Sequence, residues 1–99
     1  MERTARIFID TNLFIFHLKR TATSNLSDKI KKFFKDVEDG KFVGVCTTYT
    51  IIEYKAALKR ILSEARRATV SQKEIDEEIE EFKNFLDEMG IELFDSEDL

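Results

Sequence analysis

Three short runs of apolar, β-favouring residues punctuate the chain, and each successive pair is separated by two helical patterns. The runs are Arg6-Ile7-Phe8-Ile9-Asp10, Phe42-Val43-Gly44-Val45-Cys46 and Ile91-Glu92-Leu93-Phe94. Strands of one sheet that are joined through helices rather than a tight turn run parallel. The order β-α-α-β-α-α-β therefore predicts an α/β fold with helices packed on a parallel sheet. Two helices per crossover is unusual and narrows the field.

The helices announce themselves by period and by punctuation. Thr11 opens an apolar stretch, Leu13-Phe14-Ile15-Phe16-His17-Leu18, which predicts a helix of about ten residues with Asp10 or Thr11 as its cap. Leu26, Ile30, Phe33, Phe34 and Val37 trace one face of a second helix, which Gly40 ends. After the second strand, Thr47 and Thr48 can cap a long helix reaching Arg67, with Ile51, Ile52, Leu58, Ile61, Leu62 and Ala65 as its apolar stripe. Ser71 and Glu74 form a capping box for the last helix, which buries Ile75, Ile79, Phe82, Phe85, Leu86 and Met89 and stops at Gly90. The first two strands are short and apolar enough to be buried, and Gly44 permits close packing across the second.

Composition removes whole classes of function. No apolar run approaches the ~20 residues of a transmembrane helix, and the N-terminal stretch is interrupted by Asp10, so neither a membrane span nor a signal peptide is expected. One cysteine, Cys46, excludes an internal disulfide framework and a zinc-finger set, which predicts a reduced, cytoplasmic protein. The net charge of −4 conceals a split: residues 1–73 hold fifteen Lys/Arg against eight Asp/Glu, whereas residues 74–99 hold twelve acids against Lys83. One basic and one acidic surface are expected, so the low pI does not exclude nucleic acid as a partner. Abundant Lys and Glu with one glutamine and one cysteine suggests an archaeal or thermophilic source.

Two carboxylates stand out. In open parallel sheets ligands bind beyond the carboxyl ends of the strands, which is where Asp10 falls; it either caps the helix or faces that crevice. Glu53 stands apart from the charge runs, among Ile51, Ile52 and Tyr54, near the start of the helix after the second strand. Such a pair suits a hard divalent cation.

The segment Ile7-Phe8-Ile9-Asp10-Thr11-Asn12-Leu13 resembles the opening motif of PIN domains, and Cys46-Thr47-Thr48-Tyr49-Thr50-Ile51-Ile52-Glu53 resembles their second motif. The likeness spans this chain and the first two-thirds of the family's domain. It implies a three-layer PIN-like fold, a single domain over 1–99 with its later strands missing. It also implies a metal-dependent endoribonuclease, of the toxin type found in toxin–antitoxin pairs. On that resemblance Asp10 and Glu53 are catalytic and ligate Mg²⁺ or Mn²⁺, and Thr11 and Thr50 orient those carboxylates. It implies RNA as substrate and an antitoxin protein as partner; Lys19, Arg20 and Lys55, from the basic residues, are expected to contact RNA. The family carries further aspartates on a helix after the third strand, a segment without counterpart here; 99 residues alone are therefore expected to be nearly inactive. Asp95, Glu97 and Asp98 read as a frayed acidic terminus rather than substitutes.

Other residues receive plainer readings. His17 is expected to be packed, Cys46 to be an inert small hydrophobe, and the phenylalanines to form core or interface. Lys29 to Lys35, with Lys59, Arg60, Arg66 and Arg67, either hold phosphates or form a solvated face. Leu13, Phe14 and Phe16 are expected near a self-association surface of a homodimer or higher oligomer. The rival to a nuclease is a non-catalytic PIN-like module that binds RNA or protein; a purely structural role for both carboxylates is a third reading. A dehalogenase-type phosphatase would require an aspartate where Asn12 stands, and a phosphate-cradling nucleotidase would require a glycine-rich loop.

Overall fold

The computed structural model describes residues 4–19, 23–66 and 69–95. Their order is β1 (Arg6–Phe8), α1 (Thr11–Lys19), α2 (Ser24–Glu38), β2 (Val43–Thr47), α3 (Thr48–Arg66), α4 (Gln72–Glu88) and β3 (Glu92–Phe94). The three strands form one parallel sheet in the order β1-β2-β3. Arg6 pairs with Val43 and Phe8 with Val45, while Val45 also pairs with Glu92 and Thr47 with Phe94. The α/β class and the β-α-α-β-α-α-β order thus stand as the sequence pattern predicts.

Local chemistry sets the element ends. Both α2 and α4 close with the same device. Gly40 (φ +76°) and Gly90 (φ +67°) adopt the left-handed conformation that side chains disfavour. The Gly40 N–H reaches the Val37 carbonyl and the Lys41 N–H that of Asp36; Gly90 pairs with Asp87 and Ile91 with Leu86 in the same pattern. These Schellman closures satisfy two otherwise orphaned carbonyls each and turn the chain into the next strand. At the other end of α4, Ser71 Oγ accepts from the Glu74 N–H at 3.2 Å, one half of the expected capping box. The Glu74 carboxylate instead meets Arg66 and the Ser71 hydroxyl.

The core lies between the helices and one face of the sheet. Phe14 is fully buried, its ring 5.7 Å from that of Phe34 and 5.1 Å from that of Phe82. His17 stacks on Phe34, as a packed histidine should. Gly44 is needed for space: a Cβ there would sit 2.6 Å from Ile9 Cδ1 and 3.1 Å from Ile91 Cγ1. Both isoleucines reach over the central strand, which carries no side chain at that point.

Four expectations are corrected. Strand β1 is not buried: Ile7 is exposed and Phe8 is 61% exposed, because β1 is an edge strand and only Ile9, beyond its end, tucks under the helices. The sheet face holding Phe8 and Phe94 is uncovered, so the third layer is not among the described residues. On α3, Ile52 is 61% exposed and Ala65 is also exposed, whereas Tyr54 is buried. Thr50, Tyr54 and Leu58, spaced by four, are the face that meets the core. Finally, Phe14 is core rather than self-association surface, and Leu13 and Phe16 pack half-buried against that core.

Candidate functional site

Asp10 follows the end of β1 and precedes the first residue of α1. A capping carboxylate would accept the N–H of Leu13, but that N–H goes to the Asp10 backbone carbonyl at 3.0 Å. The side chain is thereby left exposed at the mouth of a cavity of about 310 Å³. Thr11 and Asn12, in the first turn of α1, line the same cavity, with Ile15 one turn further.

The opposite wall is α3. This helix begins directly after β2, so Glu53, in its second turn, faces the carboxyl end of the sheet alongside Asp10. Ala56, Ala57 and Arg60 continue the wall at helical spacing. The two alanines keep the wall low between the acid and the guanidinium. The buried Thr11 hydroxyl donates to Glu53 Oε1 at 3.0 Å and fixes one rotamer of an otherwise exposed carboxylate. One Glu53 oxygen is thus held by the protein.

The other residues singled out by sequence lie elsewhere. Thr50 is buried, and its hydroxyl accepts from the Thr47 N–H at 3.1 Å. It does the work of a capping-box glutamate at the start of α3 instead of orienting a carboxylate. Lys19 is tied to Glu78 at 2.6 Å beside a second, smaller cavity and does not line the first. Lys55 is half-buried on α3 and does not line it either. Arg20 lies outside the described residues, as do Glu97 and Asp98. On α2 and just after it, Lys32 and Lys41 pair with Asp36, and Lys35 with Asp39. The Lys41 hydrogen bond, with charge from Lys32, holds the Asp36 carboxyl below its ordinary range.

Ala56 and Ala57 are lining residues that the sequence did not single out, and Arg60 stood there only as one of the basic residues that either hold phosphates or form a solvated face. The signal for Arg60 was there: it stands seven residues after Glu53, two helical turns along the same face. Cys46 is fully buried in β2, and burial pushes its thiol up to about 11, which keeps it protonated and inert.

Among the described residues no cluster of three or more His, Cys, Asp or Glu could hold a metal. The hard oxygen donors that line the cavity are the carboxylates of Asp10 and Glu53, the type of ligand that Mg²⁺ takes one or two of while keeping several waters. No described helix is long and apolar enough to cross a membrane. Neither a protein-family model, nor a curated protein, nor a solved structure matches the chain.

Proposed function

We propose that this chain is a PIN-like domain of a metal-dependent endoribonuclease, of the toxin type, with Asp10 and Glu53 as the acids that hold Mg²⁺ or Mn²⁺. The observation that carries this reading is that the two carboxylates, remote in sequence, line one cavity at the carboxyl ends of β1 and β2. The Thr11–Glu53 hydrogen bond supports it further, since a hydroxyl that orients a ligating carboxylate is a common companion of metal sites. When bound, the ion supplies an activated water nucleophile and neutralises charge that builds on the phosphodiester.

The chain's own residues do the rest. Thr11 keeps Glu53 in one orientation, so little side-chain entropy is lost when the cation is gripped. Ala56 and Ala57 leave room for a backbone phosphate to approach. A protein partner, whether an antitoxin or a second copy in a homodimer, belongs to the same reading; the bare sheet face with Phe8 and Phe94 supports a surface made for covering.

The test is cleavage of a labelled single-stranded RNA across a Mn²⁺ titration. Two carboxylates hold the ion weakly, so slow cleavage that rises toward millimolar Mn²⁺ and vanishes with EDTA is expected. Asp10→Asn and Glu53→Gln should each abolish it. RNA that binds at this cavity but is never cut at any Mn²⁺ concentration would replace the nuclease with a binding module.

A further inference from the structure

We infer that Arg60 is a positioning residue that grips an RNA phosphate next to the one facing Asp10 and Glu53. The inference rests on the nuclease reading above and adds to it a residue that recognises the substrate.

The cavity has two electrically opposite ends. Asp10 and Glu53 stand at one, and Arg60 stands two turns along α3 at the other, a rise of roughly 10 Å. Ala56 and Ala57 separate them with nothing taller than a methyl group. Arg60 is exposed, and among the described residues it forms no ion pair with either acid or with any other carboxylate. Two other arginines are engaged, Arg6 with Glu92 and Arg66 with Glu74. A guanidinium that lines a cavity with two carboxylates, yet closes on neither, keeps its donors for something that enters.

The chemistry of the entrant follows. Two carboxylates alone repel a polyanion. A bound divalent cation offsets them at one end, and the fork of a guanidinium supplies bidentate donors to phosphate oxygens at the other. A group with negative charge at both ends of the cavity is matched by consecutive phosphates of one RNA strand. Arg60 would thereby fix the register of the strand over the carboxylates, touching the chain beside the bond to be broken rather than the reacting atoms themselves.

Lys59 provides the control. It is exposed on the same helix, carries the same charge and does not line the cavity. The experiment measures binding of a fluorescein-labelled decauridylate by anisotropy, with Ca²⁺ in place of Mn²⁺ to keep the RNA intact, and Mn²⁺ affinity separately. Arg60→Ala should weaken RNA binding by ~10-fold and lower the salt dependence by about one counterion, while Arg60→Lys recovers part of the loss. Lys59→Ala should cost no more than ~2-fold, and Arg60→Ala should bind Mn²⁺ at least as tightly as the wild type. Equal losses for Arg60→Ala and Lys59→Ala would overturn the inference, reducing Arg60 to a surface charge. Mn²⁺ binding at the acids without RNA binding would also overturn it while leaving the metal site standing. Failure to bind either would remove the nuclease reading itself.

Discussion

Two cavities flank α1, and both carry charges of opposite sign. In the smaller, about 100 Å³, Lys19 and Glu78 are joined at 2.6 Å, with Tyr54 and Phe82 as the apolar wall. In the larger, about 310 Å³, Asp10 and Glu53 face Arg60 across two alanines, and the charges stay apart. In the first, the Lys19–Glu78 pair ties α1 to α4, with Glu81 beside it. In the second, Asp10, Glu53 and Arg60 form no ion pair with one another among the described residues. On the reading proposed above, the first cavity serves the fold and the second receives a ligand, and that contrast is open to attack from both sides.

The largest effect should come from the open cavity. Asp10→Asn or Glu53→Gln is expected to lower Mn²⁺ affinity by more than ~100-fold, beyond the 10–100-fold typical of losing a supporting hydrogen bond. Stability to urea should move by less than ~0.5 kcal/mol, since both side chains are exposed. Unfolding of either variant would break the contrast.

The smaller cavity should answer to pH instead. Burial, reinforced by the charges of Glu78 and Glu81, pushes the Tyr54 hydroxyl up to about 12. Its folded pKa lies above its unfolded one, so its contribution is complete below about pH 10 and is lost as pH rises toward 12. Stability should fall in that window. Urea midpoints against pH would record it, and Tyr54→Phe should flatten the alkaline slope without touching Mn²⁺ binding.

A pair of threonines sharpens the same line. Thr11→Val removes the hydroxyl that holds Glu53 and should weaken Mn²⁺ by 10- to 100-fold. Thr50→Val removes the acceptor of the Thr47 N–H and should cost ~1 kcal/mol of stability with no change in Mn²⁺ affinity. Isothermal titration and chemical denaturation on both variants separate the two roles. Smallest of all, Lys19→Met should cost at most ~1 kcal/mol and leave RNA affinity intact, because its ammonium already serves Glu78. A clear loss of RNA binding in that variant would return Lys19 to the interface.

These residues also mark how far the sequence could be read. Element order and helix stops were legible, because Gly40, Gly90 and the Ser71–Glu74 spacing encode local geometry. Asp10 and Glu53 were legible as candidates because strand ends and an isolated acid are visible in one dimension. What was not legible is which face of an element is covered. Ile52 and Tyr54 differ by two positions on one helix, and only tertiary packing puts the tyrosine inside. Phe8 looks like core and lies bare, since an edge strand is not recognisable from composition. Thr11 and Thr50 were indistinguishable as polar neighbours of a carboxylate; one bonds Glu53 and the other bonds the backbone. Lys19 read as an RNA contact and Arg60 as one cation of a basic set; the structure ties Lys19 to Glu78 and sets Arg60 on the cavity wall.

The measurement that tests the central claim most directly is paramagnetic broadening of the amide spectrum of the ¹⁵N-labelled chain by substoichiometric Mn²⁺. Signals of residues 10–12 and 53–60 should broaden first, those around Lys19 and Glu78 should persist, and Asp10→Asn should erase the pattern. Broadening centred on the acidic surface of α4, or spread evenly over the chain, would contradict a cation site between Asp10 and Glu53.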